Sequence, residues 1–500
     1  MDTLHNFYMG LTVALQPTNL FYCFMGCLGG TLVGLLPGIG CTAAVAILLP
    51  ATFHLDPTAA IIMLSGIAYG SAYAGSTTAI LVNVPGETSS VVTCMDGYQM
   101  ARKGRAGPAL GIAALGSFIA GTLAVVGVML LAPTLARAAL LFGPPEYFSL
   151  MIMAMTIVTY LVRGSMPRAL IMVGLGLVLG TIGMDPMSGR DRFVYGILQL
   201  KDGISVATVA IGMFGVAEIL GSVGATVKTE VFAEKIKGYL PDRQDLKECA
   251  APIGRATILG FVMGIFPGLS PMIPTYLSYG IEQRLSKHPE KFGTGVIEGV
   301  AAPEACNNAA STAGFVPLFS LGIPSNAYNA VLLGALMIYG LQPGPLLIQS
   351  NPTFFWGVLA SMYIGNVMLL VLNLPLIPLW VMVLRIPYSL LSVMILVFCF
   401  LGAYSINNSM LDVVITFVFG IFGYLLKEYG FERAPLILAF VLGPLAENAC
   451  RQSLTGAGGK FSIFFTRPIS ALFLLVAMGV VLMAFIKKRS FIKKIGEDSN

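Results

Sequence analysis

Residues 20–50 read LFYCFMGCLGGTLVGLLPGIGCTAAVAILLP, without one charged side chain. A bilayer core takes about 20 apolar residues as a helix, so this run is too long for one unbroken span. Pro37-Gly38-Ile39-Gly40 interrupts it. In lipid every backbone amide needs an internal partner, and non-helical backbone persists only where protein buries it or where it lines a watery cavity. That constraint governs the whole chain. Its 500 residues are 56% hydrophobic and 11% charged, against roughly 25% charged in soluble domains. The fold class is therefore an all-α polytopic membrane protein. Outer-membrane barrels show short alternating strands instead of long apolar runs. The 57 Gly and 29 Pro suit close helix contacts and broken helices in lipid.

The net charge of +5 belongs to loops and gives no reason to expect nucleic acid. Cys23 and Cys27 lie one helical turn apart, but no His accompanies them, so neither a zinc site nor a disulfide framework is expected. The N-terminus, MDTLHNFYMG, has no basic region and reads as no cleaved signal peptide.

Along the chain, residues 3–16 predict a short helix at the membrane edge, ending at Pro17. Further apolar segments cover about 107–135, 145–162, 168–184 and 204–222. Residues 223–254 are the one long polar stretch. Six Lys/Arg from Lys228 to Arg255 place it in the cytoplasm by the positive-inside rule. The expected organisation is a first membrane repeat over 1–222, a cytoplasmic connection over 223–254, a second membrane repeat over 255–486 and a cytoplasmic tail over 487–500. About 12 transmembrane segments are expected, at roughly 20 residues each.

The most polar apolar stretch is 69–108, YGSAYAGSTTAILVNVPGETSSVVTCMDGYQMARKGRAGP. At its centre Asn83-Val84-Pro85-Gly86-Glu87 cannot continue a regular helix. Pro85 lacks an amide hydrogen and Gly86 is free to leave helical geometry. Thr88, Ser89 and Ser90 offer capping chemistry for a new helix. A short loop outside the membrane is the bland alternative to a helix broken within it.

Four motifs recur in order. Gly30-x3-Gly34-x2-Pro37-Gly38 matches Gly260-x3-Gly264-x2-Pro267-Gly268 at an offset of 230. GSTTAILVNVPGE (75–87) lies against GFVPLFSLGIPSN (314–326) at 239. Gly107-Pro108 meets Gly344-Pro345 at 237, and Ser165-Met166 meets Ser409-Met410 at 244. This order argues for a duplicated unit. Corresponding loops swap charge: RLSKHPEK (284–291) against TFHLDP (52–57), Arg102, Lys103 and Arg105 against GLQPG, and Arg163 and Arg168 against SINNSM. Loops on opposite sides of a membrane do this, so the repeats are expected to be inverted. The basic tail around Lys487-Lys488-Arg489 puts the C-terminus inside.

Broken helices in corresponding positions of two halves point to a transport site. A half-helix N-terminus offers free amides and partial positive charge, which suits a carboxylate. Asn oxygens and backbone carbonyls suit a small cation such as Na⁺. The candidate binding residues are Pro37, Gly38, Gly40, Ser76, Thr77, Asn83, Pro85, Gly86 and Glu87 in the first half. In the second they are Pro267, Gly268, Ser270, Asn307, Asn308, Pro324, Ser325 and Asn326. Ser and Thr in apolar helices more often bond their own backbone than a ligand, a reading that weakens where they cluster at a break. Asp96, Glu298 and Glu304 are costly in a membrane unless they serve a purpose or sit at its edge. Asp96 precedes Arg102–Arg105, where an ion pair at headgroup level accounts for it. Glu298 and Glu304 fit a functional role or an inter-helix role equally.

LLPGIG with LLPATF, YGSAYAGSTTAILVNVPGE, TCMDGYQMARKGRAGPALG, FGTGVIEGVAAPEACNNAA and LGIPSNAYNAVLLGALMIYGLQPGP together resemble the large permease subunit of tripartite tricarboxylate transporters, the TctA-type family. The likeness covers nearly the whole chain. Gln99 departs from the usual DGYPMA, Cys306 from AANNA, and Ser325-Asn326 from the Gly-Ser common after the Ile-Pro. The resemblance implies a small four-helix membrane subunit and a periplasmic solute-binding protein as partners. It also implies import of carboxylates across the bacterial inner membrane on an ion gradient. Two other classes compete. An enzyme needs a nucleophile, a base or a metal set, yet only His5, His54 and His288 exist, none in an HExxH-type helix. A one-component carrier or a channel for small organic anions could also be built from two broken half-sites.

Overall fold

The computed structural model describes residues 3–36, 39–161, 165–222, 238, 240–269, 271–383 and 388–497. They are almost wholly helical, and two paired two-residue strands, Gly183–Met184 and Asp191–Arg192, are the only sheet among them. Five helices are long and apolar enough to cross a membrane, or six when one bent pair counts as a span. That is fewer than the twelve segments expected. Several apolar helices are short, among them Gly40–Leu48 and Ala327–Ile338, as broken segments require. Two compact units divide the chain: 1–136 with 207–424, and 137–206 with 425–500.

In the first unit, helix Thr3–Ala14 bends by 81° into helix Pro17–Gly34. Pro17 opens the second helix, where its missing amide hydrogen costs nothing. Helix Pro17–Gly34 then lies directly on helix Pro57–Val82. Glycines allow this approach: a Cβ at Gly30 would stand 2.2 Å from the Ile67 carbonyl oxygen, and one at Gly34 2.5 Å from Ser71 Cα. Small residues let backbones meet in lipid, where no hydrophobic force drives helices together.

The second half repeats the construction. Helix Arg243–Gly264 lies on helix Glu298–Ala313, and a Cβ at Gly260 or Gly264 would stand 2.3 Å from the carbonyl oxygen of Cys306 or Ala310. These contacts pair at the sequence offsets, 230 for the glycines and 239 for their partners. The long helices also end alike. Asn83 (φ 56°) stops Pro57–Val82 in the left-handed region, and Gly322 (φ 70°), 239 residues on, stops Phe315–Leu321. Beyond the stops, the Gly40 amide donates to the Gly86 carbonyl at 3.1 Å and the Gly268 amide to the Ser325 carbonyl at 2.8 Å. Helices Val91–Arg102 and Ala327–Ile338 follow. One difference separates the halves: Pro57–Val82 is unbroken, whereas its counterpart divides at Gly314 into Glu298–Ala313 and Phe315–Leu321.

Of the polar stretch at the centre of the chain, 223–237 and 239 lie outside the described residues, as do Pro37, Gly38 and Ser270. From Arg243 the chain is already helical, opened by a reciprocal cap between Asp242 and Asp245. Arg105 reaches Asp245 at 2.6 Å.

The second unit contains helices Pro144–Leu161, Met166–Gly180, Ala434–Gly456 and Pro468–Glu497. Gly176 brings Met166–Gly180 onto Leu436, 2.3 Å from added-Cβ position to carbonyl oxygen. The short hairpin after it carries a cluster of ion pairs. Asp185 meets Arg192 at 2.8 Å and Arg451 at 2.9 Å, and Glu447 meets Arg192 at 2.9 Å. The Ser188 hydroxyl and then Arg451 hold the Asp185 carboxyl well below the usual carboxylate range.

Candidate functional site

The site forms around Glu304, 1% exposed in helix Glu298–Ala313. Its carboxylate accepts hydrogen bonds from the Ser76 hydroxyl of helix Pro57–Val82 and the Thr93 hydroxyl of helix Val91–Arg102. Three helices from both halves of the chain therefore converge on one carboxylate. No Lys, Arg or His is among its partners in the described residues. A buried charge without a countercharge is expensive, so this group needs a proton or a cation.

One turn further, Asn307 donates through Nδ2 to Glu87 at 3.1 Å. Glu87 also accepts from the Ser89 hydroxyl and from the Cys41 amide. The Cys41 bond sets Glu87 at the first turn of helix Gly40–Leu48, where partial positive charge favours an anion. Asn308 donates to the Ser117 hydroxyl at 2.7 Å and back to the Glu304 carbonyl at 3.1 Å. Around these groups lie buried oxygens with no hydrogen-bond partner among the described residues: Asn307 Oδ1, Ser90 Oγ, Tyr73 OH and Asn373 Oδ1. Tyr73, Ser76, Thr77 and Asn373 line one small cavity with Leu110, Ala113 and Ala114.

The second break makes its own cluster. Ser325 is wholly buried, and its hydroxyl accepts from Asn329 Nδ2 at 2.9 Å and Asn326 Nδ2 at 3.3 Å. Asn326 Oδ1 caps helix Ala327–Ile338 by accepting from the Asn329 amide at 3.0 Å. Pro324 is buried beside it, while Pro267 and Gly268 are half-buried at the facing turn.

Of the sequence-predicted residues, the structure brings Ser76, Glu87, Glu304, Asn307 and Asn308 together and seats Gly40 and Gly86 beside them. Gly86 admits no side chain: a Cβ would stand 2.5 Å from Gly75 Cα and 2.6 Å from the Gly34 carbonyl oxygen. Pro85 is half-buried next to it. Ser76 and Thr77 sit inside the unbroken helix, not at its break. Asn83 is exposed. Glu298 is half-buried in the first turn of its helix, six residues from Glu304, about 9 Å along the axis.

The ion-pair expectation for Asp96 is wrong. Asp96 is wholly buried and accepts from the amides of Gly293, Gly295 and Val296 and from the Tyr279 hydroxyl. Thr93, Ser117, Tyr73 and Asn373 are not among the sequence-predicted residues. A hydroxyl or amide in an apolar helix carries no local mark that separates ligand from back-bonded residue.

Residues 20–438 match the Tripartite tricarboxylate transporter TctA family. The chain belongs to the TctA family. It is 48% identical over 486 residues, 97% of both chains, to an "Uncharacterized 52.8 kDa protein in TAR-I ttuC' 3'region" of Agrobacterium vitis. It is 46% identical over 227 residues to an "Uncharacterized protein in TAR-II ttuC' 3'region" of the same organism, covering 45% of this chain and 94% of that one. No solved structure matches. The TctA chain is thus a subunit of a tripartite tricarboxylate transporter and a multi-pass membrane protein.

Proposed function

We propose that this TctA chain is the large membrane subunit of a binding-protein-dependent secondary transporter that imports di- or tricarboxylates across the bacterial inner membrane. Its partners are a small four-helix membrane subunit and a periplasmic solute-binding protein, and its C-terminus is cytoplasmic. The convergence of helices from both halves on Glu304, beside broken backbone, carries this reading.

The two halves are inverted repeats. Swapped loop charges support this, as does a reciprocal exchange of contacts. Helix Gly40–Leu48 of the first half packs on Ala327–Ile338 of the second, and Met272–Leu285 of the second packs on Val91–Arg102 of the first.

The coupling ion follows from charge. A tricarboxylate adds up to three negative charges beside Glu87 and Glu304, while half-helix dipoles offset only about half a charge each. No Lys or Arg lies within 69–90 or 305–330. Co-bound Na⁺ supplies the missing charge, and Asn307 Oδ1, without a partner among the described residues, is an oxygen for it. Protons are the second reading, favoured by the hydroxyl-only surroundings of Glu304. Uptake of labelled citrate by the reconstituted complex separates the two. The Na⁺ reading expects accumulation on an inward Na⁺ gradient and a higher half-maximal Na⁺ concentration in Asn307→Ala. Full uptake on a proton gradient in Na⁺-free buffer, lost in Glu304→Gln, transfers the role to protons.

A further inference from the structure

We propose that Asp96 is the latch that holds one end of the first unit closed between the two halves. This assignment of ends rests on the inverted-repeat reading above.

Asp96 lies in helix Val91–Arg102 of the first half, and all its donors lie in the second. Oδ1 accepts from the amides of Gly293 at 2.9 Å, Gly295 at 2.7 Å and Val296 at 2.9 Å, and Oδ2 accepts from Tyr279 OH at 2.8 Å. The loop turns three amides onto one carboxylate because Gly293 (φ 84°) and Gly295 (φ 107°) adopt conformations that residues with side chains rarely reach. Gly299 completes the cradle: a Cβ there would stand 2.3 Å from Asp96 Oδ2. Beside it, Lys103 Nζ donates to the Thr294 carbonyl at 2.5 Å.

The other end has a counterpart. Tyr339, at the end of helix Ala327–Ile338, donates to the Thr52 carbonyl at 2.5 Å. Lys103 and Tyr339 hold matching places after their helices, and Thr294 and Thr52 both precede the long helix of their half. Each half therefore reaches across to the loop of the other. The two ends differ in one respect: the residue 239 places after Asp96 is Ala335. Among the described residues, only the end bearing Arg102, Lys103 and Arg105 has a carboxylate lock.

The kinds of contact indicate which seams part. Within each half, the long helices meet backbone to backbone at Gly30, Gly34, Gly260 and Gly264. Across the Asp96 seam the carboxylate, three amides and phenol, which water can solvate, sit beside a small apolar cluster of Val92, Tyr279, Phe292 and Val296. Hydrogen bonds exchanged for bonds to water cost little net, so this seam parts more readily than the glycine contacts within each half.

The test is thiol accessibility in the purified full-length chain, which needs no transport and no known substrate. Val300→Cys places a thiol at a wholly buried position against Gly97, beneath the latch. Native Cys27, wholly buried near the glycine contacts of the first half, is the internal reference. With a bulky maleimide, adding D96N should raise V300C labelling at least tenfold and leave Cys27 unchanged. Y279F removes one donor, keeps the side-chain shape and should give a severalfold rise; it carries the test where D96N does not fold. Equal V300C labelling with and without these changes overturns the proposal. So does a parallel rise at Cys27, which would make Asp96 a pin for the whole unit.

Discussion

Glu304, Asp96 and Asn83 look alike in sequence, each a polar residue in an apolar setting, yet the structure gives them different work. Glu304 is held by two hydroxyls at the meeting of three helices. Its replacement by Ala leaves the Ser76 and Thr93 hydroxyls without an acceptor and opens a cavity, a loss of about 2–4 kcal/mol. Thermal unfolding in detergent should show Glu304→Ala well below wild type and Glu304→Gln close to it; equal melting of the two would contradict this account of the site. Asn83 acts through its backbone. Its left-handed φ of 56° costs a Cβ-bearing residue such as Ala about 1–2 kcal/mol, and Gly nothing. Asn83→Gly should therefore melt at or above wild type, and Asn83→Ala below it. Both residues stand out in the sequence, Asn83 as a candidate ligand at a helix break and Glu304 as a costly charge in an apolar helix. The sequence leaves Asp96 to the nearby arginines because its true partners, Gly293 to Val296, lie some 200 residues away, and only the fold brings them near.

At the scale of elements, Pro85-Gly86 and Pro267-Gly268 fall between helices as the sequence suggests, and the repeat offsets also matched the glycine contacts. Proline and glycine act on their own backbone, so their effect is written locally. The division of the second long helix at Gly314 had no such signal, since Pro317 follows it and Pro303 is accommodated within a helix. Glycines in the two kinds of place should respond differently to alanine. Gly30→Ala drives a methyl into the Ile67 carbonyl, 2.2 Å away, and should cost upward of about 3 kcal/mol. Gly174, in a helix with nothing within 4 Å, should tolerate Ala with a gain of about 0.5–1 kcal/mol. Melting temperatures of the two variants check this. In the second unit, Asp185 adds stability above its unfolded pKa of about 3.9. Because its folded value is lowered, that stability is lost as pH falls below this point. Melts between pH 6 and 3 should fall more steeply for wild type than for Asp185→Asn; parallel slopes would contradict the ion-pair account.

At the scale of the molecule, composition alone pointed to helices in lipid, and the matched motifs pointed to two related halves. The division into two compact units was not legible, because each unit takes pieces from both halves and sequence order hides such exchange. On the proposed function, two halves join around a buried, acidic centre with no Lys or Arg bonded to Glu304 among the described residues, and carboxylates pass it only with a cation and only when partners deliver them. The most direct test is accumulation of labelled citrate in proteoliposomes. The account predicts concentrative uptake on an inward Na⁺ gradient when this chain, the small membrane subunit and the binding protein are all present, and negligible uptake at micromolar citrate when any is missing. Full concentrative uptake by this chain alone would contradict it.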